Sequence, residues 1–278
     1  KFHFIDISHL NTFKYLFHFL RILPMKIREQ ANLILELAIK DIKLKYSNSA
    51  FGYFWMFVNP LLLIITLYVI FSWIMDLEMQ NYQIFLLLGI IVWNFFSQAT
   101  TNCVNSVSSG INILKKIKIP LYTLILGSNL SSLISFVISL IILIIMMLLS
   151  KIDIFTPIRI LSLFYFFILF IFIFGISILI SVMYIHFKDT SHIWEFFLLI
   201  GFWMTPIVYS ETFIPNKYLK YYMLNPLARI ISHLRNTMIY NYIDSLEQII
   251  ITVIIVFIMF LTSILIYYLY SKKIYDLV

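Results

Sequence analysis

Residues 121–150 read LYTLILGSNLSSLISFVISLIILIIMMLLS, thirty positions from Leu121 to Ser150 without an Asp, Glu, Lys or Arg. As a helix rising 1.5 Å per residue, the stretch is about 45 Å long, more than the roughly 30 Å hydrocarbon thickness of a bilayer. Further charge-free stretches run from Phe51 to Met75, Asn81 to Leu114, Ile160 to Phe187, Phe196 to Ser210 and Gln248 to Ser271. Of the 278 residues, 62% are hydrophobic and 12% are charged, and the mean hydropathy is +0.96. A soluble domain is about half apolar and roughly a quarter charged. No soluble interior of this size hides so much Ile, Leu and Phe. The composition therefore excludes a soluble enzyme and a disordered chain. It implies an all-α polytopic membrane protein with six transmembrane helices, because in lipid a helix satisfies its own backbone polar groups. The Phe196–Ser210 stretch is the shortest and contains Thr205-Pro206, so it must kink or borrow residues from around Trp194.

Lys and Arg set the orientation. Fourteen fall before the first stretch, after the second, after the fourth and in the tail, against six in the alternate loops. Both termini are then cytoplasmic, and the net charge of +7 reports inside-positive loops rather than nucleic-acid binding. The first 25 residues mix Lys14, His18 and Arg21 into an apolar pattern, so they read as an N-terminal extension and not as a signal peptide. From residue 26 to 50 the apolar positions Ile27, Ala31, Ile34, Leu35, Ala38 and Ile42 share one helical face. Glu36–Lys40 and Asp41–Lys45 are favourable pairs four apart. This reads as an amphipathic helix on the cytoplasmic membrane surface, with a soluble helix packed on protein as the alternative. Residues 51–278 form the transmembrane domain. Within it, 211–247 is too short and too charged to span, and reads as short re-entrant or surface helices around Pro226. There Leu227, Ile230, Ile231, Leu234 and Met238 form a stripe opposite Arg229, His233 and Arg235.

Absences narrow the chemistry. The closest two glycines, Gly110 and Gly127, are 17 residues apart, so no phosphate-binding G-x-x-x-x-G-K loop can form. No stretch carries an acid or base at its centre, which disfavours an ion-coupled transporter or voltage sensor. The single Cys103 reads as a small buried side chain. No nucleophile stands beside a base and no paired carboxylates share a membrane depth, so a lipid-modifying enzyme is disfavoured. His186, Asp189 and His192 lack a third strong partner for a metal and read as a solvated loop.

Neutral polar stripes remain. Asn94, Ser97, Gln98, Thr101, Asn105 and Ser108 recur at helical spacing in the second stretch, as do Ser128, Ser131, Ser132, Ser135 and Ser139 in the third. They suit either a passage for a large, neutral, hydroxyl-rich solute or close helix–helix contact, and the two readings are compatible. Trp55, Trp73, Trp93, Trp194 and Trp203 read mainly as interfacial belt residues. Trp93 and Trp203 are the candidates for lining a sugar path.

Six motifs in order carry a family likeness. They are Lys43-Leu-Lys45-Tyr46-x-x-Ser49-x-x-Gly52-x-x-Trp55-x-x-x-Asn59-Pro60; Gly89-Ile-Ile-Val-Trp93-Asn94-Phe95-Phe96; Leu114-Lys115-Lys116-Ile-Lys118-Ile-Pro120; His186-Phe-Lys188-Asp189; Phe202-Trp203-Met-Thr205-Pro206-Ile-Val-Tyr209; and Asn225-Pro226-Leu with Arg235 downstream. Together they resemble the ABC-2 type permeases, closest to those exporting O-antigen (the lipopolysaccharide glycan), teichoic acid and related polysaccharides, from about Asn32 onward. The resemblance implies a homodimer in the cytoplasmic (inner) membrane, six spans per chain, and a separate nucleotide-binding subunit that holds the ATP and magnesium. This chain would carry no cofactor of its own and would meet membrane lipids but no nucleic acid. The resemblance also implies that the loop with Lys115, Lys116 and Lys118 docks on that ATPase, with Lys188 and Asp189 as a second contact. Thr212 to Tyr242, with Pro226, Arg229, His233 and Arg235, would gate the exit of a polysaccharide carried on a polyprenyl pyrophosphate lipid. An ABC-2 exporter of small molecules or lipids, and a non-transporting assembly subunit, are the alternatives. The 25-residue extension departs from the family pattern.

Overall fold

The computed structural model of the chain describes residues 27–46, 81–117 and 120–277, with scattered positions between 52 and 70. The expected extension over residues 1–25, most of the expected span from Phe51 to Met75, and Lys118 lie outside the described residues.

The described chain is helical. The longer elements are α1 (Ile27–Tyr46), α2 (Tyr82–Ile117), α3 (Leu121–Leu149), α4 (Ser162–His186), α5 (Thr190–Met204), α6 (Asn216–Tyr222), α7 (Pro226–Met238) and α8 (Leu246–Leu277), with single turns at Gly52–Phe54, Pro157–Ile160 and Glu211–Phe213. Local chemistry sets their ends. Asn81, in the left-handed region at φ 57°, turns the chain into α2, and its carbonyl accepts the Ile84 and Phe85 amides at 2.9 and 3.1 Å. Pro120 precedes α3, where its fixed φ costs no hydrogen bond, and Thr123 Oγ1 donates to its carbonyl at 2.7 Å. Extended Phe187 stops α4, and Thr190 Oγ1 restarts the chain as α5 by donating to the Phe187 carbonyl at 2.6 Å. Asn225 caps α7 by accepting the Leu227 amide at 3.0 Å, with Pro226 as the first helical residue.

Helix α2 is the axis of the fold and is enclosed over most of its apolar length. It packs on α3, α4, α5 and α7, while α1 lies on α3 and α8 covers α4. The core runs through Ile84, Leu86, Leu87, Leu88, Ile90 and Ile91 of α2 to Leu143, Leu169, Ile173, Ile230 and Leu234. Only a minority of α8 is enclosed, and Ile250, Ile254, Phe257, Ile258, Leu261 and Leu265 are exposed.

The six-span expectation is corrected. Among the described residues four helices are long and apolar enough to cross a membrane: Tyr82–Gly110, Leu121–Leu149, Pro157–His186 and Leu246–Tyr270. The stretch expected as the fifth span belongs to α5, whose 15 residues reach about 22 Å at 1.5 Å each, short of the bilayer core. Its helix ends at Met204, before Thr205-Pro206, so the apolar residues Ile207 and Val208 beyond it add no length and are instead buried in the core. The stretch expected as the first span is described only in part and is not among the four.

Candidate functional site

The polar stripe of α2 faces two environments. Asn94, Ser97, Gln98 and Thr101 are half-buried and Asn105 is exposed. On α3, Ser128 and Ser131 are buried, whereas Ser135 and Ser139 are half-buried. Each of these serines donates its hydroxyl back along its own helix: Ser128 to the Ile125 carbonyl at 3.1 Å, Ser131 to Ser128 at 2.8 Å, Ser135 to Ser131 at 3.5 Å and Ser139 to Ser135 at 3.0 Å. Their oxygens keep acceptor lone pairs. Deeper between α2, α3 and α4, Cys103 Sγ lies 2.9 Å from Ser181 Oγ and Ser177 donates to Asn129 Oδ1 at 3.1 Å. Small polar groups there let the helices approach closely. Helix α1 is held just as tightly, since a Cβ on Gly127 would fall 2.8 Å from Leu37 Cβ.

The aromatic residues divide. Trp93 is buried, 5.6 Å from Phe96 and edge-on to Phe202 at 5.8 Å between ring centres. A Cβ on Gly201 would come within 3.0 Å of the Trp93 ring, so a side chain there would push α5 off it. Trp203 is 57% exposed, and its ring meets Phe202 edge-on. Trp194 Nε1 donates to Thr100 Oγ1 at 3.0 Å, tying α5 to α2.

The segment following α5 carries buried titratable side chains: His233, Arg235 and Asp244. Arg235, 3% exposed, donates through Nη1 to the Pro206 carbonyl and through Nη2 to the Ile207 and Phe85 carbonyls at 2.7 and 3.2 Å. Its guanidinium carbon lies 3.3 Å from the Phe85 ring centre, a cation–π contact. Gly89 makes room, because a Cβ there would sit 2.7 Å from Arg235 Nη2 and 2.9 Å from the Ile207 carbonyl oxygen. Burial lowers the Arg235 pKa, opposed by Tyr240 and Glu211 nearby.

A second knot joins α7 to α8. His233 Nδ1 is 2.6 Å from Asp244 Oδ2 and His233 Nε2 is 2.8 Å from Thr252 Oγ1. Asn236 Nδ2 donates to the other Asp244 oxygen at 2.8 Å. Arg229 donates through Nε to Thr252 Oγ1 at 2.9 Å, and through its terminal nitrogens to the Met223 and Gln248 carbonyls. The Tyr165 ring of α4 stacks on His233 at 5.0 Å. Burial pushes the Asp244 carboxyl up, but the His233 hydrogen bond and charge outweigh it and hold the group below its ordinary value. Glu211 is shifted upward by burial, against the Ser232 hydrogen bond and the Arg235 charge. Of this network the sequence reading reached Pro226, Arg229, His233 and Arg235. It missed Phe85, Gly89, Tyr165, Asp244 and Thr252, which no helical spacing connects to α7.

At the other end, Lys115 and Lys116 lie in the last turn of α2. Lys188 and Asp189 are exposed in the turn between α4 and α5. His186 Nδ1 is 2.9 Å from the Val182 carbonyl of its own helix, and exposed His192 stands 3.9 Å from Glu195.

The ABC-2 type transporter family model matches residues 32–239. Two Klebsiella pneumoniae proteins bearing the name O-antigen export system permease protein RfbA are similar to this chain. One is 30% identical over 227 residues, covering 77% of this chain and 85% of the relative. The other is 29% identical over 204 residues, covering 72% and 77% respectively. A Myxococcus xanthus protein of the same name is 23% identical over 214 residues, covering 76% of this chain and 81% of its own length.

Proposed function

This chain belongs to the ABC-2 type transporter family, and from that premise we propose that it is the permease subunit of an ATP-driven exporter moving a lipid-linked polysaccharide across the cytoplasmic membrane. The observation that carries the cargo is the likeness, over about three quarters of the chain, to permeases named for O-antigen export. Two copies form the passage between them, both termini are cytoplasmic, and a separate ATPase subunit supplies the energy. Asn94, Ser97, Gln98, Thr101, Asn105, Ser135 and Ser139, which reach open or half-open surface, are the contacts along which the polymer slides, with exposed Trp203 offering a flat face to pyranose rings. Buried Trp93, Ser128 and Ser131 hold the helices that present those contacts. Many weak neutral contacts suit a moving polymer, because a few strong ones would retain it. The segment around Pro226, Arg229, His233 and Arg235 is the outer gate.

Deleting the gene and locating the lipid-linked glycan by fractionation and antibody tests this reading. Glycan trapped inside the cytoplasmic membrane is the expected result. Normal surface glycan with altered efflux of a drug or lipid would move the chain to the small-molecule exporters, and no change in either would sink transport altogether.

The ATPase contact makes a separate prediction. Lys115, Lys116 and Lys118, with Lys188 and Asp189 of the next cytoplasmic turn, form the docking face in this reading. Reversing the three lysines together to Glu reverses three charges at the proposed contact, and a like-charge juxtaposition costs several kcal/mol at an interface. Export is expected to fall at least tenfold while the protein stays in the membrane and the partner still hydrolyses ATP. Unchanged export in that triple variant would remove the contact from this loop.

A further inference from the structure

Where α1 meets α2 and α3, a cleft of about 420 Å³ opens, lined by Asp41, Ile42, Leu44 and Lys45 of α1, Asn102, Asn105, Ser106 and Ser109 of α2, and Ser131 and Ser135 of α3. A ligand pocket of this size is ordinarily lined by apolar side chains with a few polar groups, whereas eight of the ten residues here are polar or charged, set among carbon surface that still makes up most of the wall. Its serine hydroxyls are committed as donors within the protein. Ser106 donates its hydroxyl to Asp41 Oδ2 at 3.1 Å, and Ser109 to the Ser106 carbonyl at 3.4 Å. Ser131 and Ser135 donate to carbonyls of α3, and Asn102 Nδ2 donates to Ser132 Oγ at 3.0 Å. With those hydroxyl hydrogens used inside the protein, the four serines and Asp41 present oxygens as acceptors, while the Asn102 and Asn105 carboxamides and the Lys45 ammonium bring N–H donors as well as, for the amides, acceptors. Such a lining takes a ligand that both accepts and donates at many points.

Charge narrows the ligand further. Lys45, whose Nζ donates to Gln98 Oε1 at 3.0 Å, and Asp41 are the charged groups lining the cleft among the described residues, and their formal charges cancel. A phosphate brings two negative charges beside the Asp41 carboxylate, with a single ammonium to meet them. An amine brings a second cation beside Lys45. A sugar brings a hydroxyl donor at nearly every carbon and no charge, and its ring C–H faces suit Ile42 and Leu44. We propose that this cleft binds sugar units of the exported polymer at the edge of α1, where cargo leaves the cytoplasmic face and enters the passage. The inference rests on the polysaccharide reading above and adds the place at which the glycan is first held.

The test uses the complete transporter in cells that make the glycan, with the photoreactive amino acid p-benzoylphenylalanine placed at Ser109 or Asn105, both exposed, and at Glu36, exposed on α1 outside the cleft. Membrane amounts are matched by immunoblot. Irradiation is expected to give adducts at positions 109 and 105 that react with antibody to the surface glycan, and none at 36. Adding Asp41→Asn, which removes a charged acceptor, should reduce the adduct about tenfold. Adducts whose intact mass is that of a phospholipid, without antibody reactivity, would overturn the sugar assignment. Surface glycan assembled normally with no adduct at either position would overturn the site and leave the export reading standing. Surface glycan that persists in cells lacking this chain would instead remove the export reading itself, a result visible without any crosslink.

Discussion

Arg235→Ala is expected to remove most of the protein from the membrane and to abolish export. The side chain is 3% exposed and spans three carbonyl oxygens from two distant parts of the chain: Phe85 in α2, and Pro206 and Ile207 just past α5. Truncation leaves these acceptors short of a partner in a site enclosed by α2 and α7. At about 1–3 kcal/mol for each group left unsatisfied, the total is on the order of 5 kcal/mol, a large share of the whole stability of a folded domain. Lys at the same position is expected to recover only part, because one ammonium on a flexible stem cannot reproduce the planar fork whose Nη1 reaches Pro206 while Nη2 reaches Phe85 and Ile207. Gly89→Ala should resemble Arg235→Ala, since its Cβ would lie 2.7 Å from Arg235 Nη2 and 2.9 Å from the Ile207 carbonyl oxygen. With Arg235 already truncated, Gly89→Ala should cost less than it does alone. Membrane amount by immunoblot and the thermal midpoint of the purified complex are the readouts. An Arg235→Ala protein with an unshifted midpoint would remove Arg235 as the fastener of this segment.

That fastener was only half legible in the sequence. The apolar stripe Leu227, Ile230, Ile231, Leu234 and Met238 marks the inward face of α7, and all five side chains are buried. The same periodicity set Arg229, His233 and Arg235 on an opposite, polar face, yet His233 and Arg235 are buried as well. Helical spacing assigns a side chain to a face by its own polarity. It has no information about carbonyls 28 and 150 residues away that can satisfy a buried guanidinium. The long spans fared better for the same reason: apolarity sustained over more than 18 residues is a property of the stretch itself. Four of the expected stretches are long apolar helices of the described chain. The stretch Phe196–Ser210 was misread because counting uncharged residues measures composition and not helix length. Its last residues pass from helix into an irregular turn whose Ile207 carbonyl is an Arg235 acceptor. The serine stripe of α3 was legible as a pattern but not by role. Ser128 and Ser135, seven residues apart, differ only in what stands opposite them, fully buried in one case and half-open in the other.

The pair formed by His233 and Asp244 should behave differently from Arg235, because truncating each partner leaves a different group behind. Replacing His233 by Ala leaves the Asp244 carboxylate, 8% exposed, with Asn236 as its hydrogen-bond partner. Breaking a buried pair in this way costs about 3–5 kcal/mol. Asp244→Ala is expected to cost less, since the His233 imidazole keeps its contact with Thr252 Oγ1 at 2.8 Å. The double variant should then be less destabilised than the sum of the two by about 0.5–3 kcal/mol, the coupling typical of contacting groups. Strict additivity would show that the 2.6 Å contact contributes nothing of its own. The pH dependence has a fixed sign. The Asp244 carboxyl sits below its ordinary value in the folded protein, so its stabilisation is complete above the unfolded value near about 3.9 and is lost as pH falls through the lower folded value. Limited proteolysis within residues 239–245, which link α7 to α8, should accelerate at neutral pH in His233→Ala. The difference from the unaltered protein should shrink as the pH is lowered through that window, because protonating Asp244 does to the unaltered chain what the substitution does at pH 7. If this linker is the hinge of the outer gate, the variant that loosens it should also let the passage open without nucleotide. A dye-leak measurement in vesicles lacking ATP reads that directly, and a leak equal to that of the unaltered complex would confine His233 and Asp244 to holding the fold.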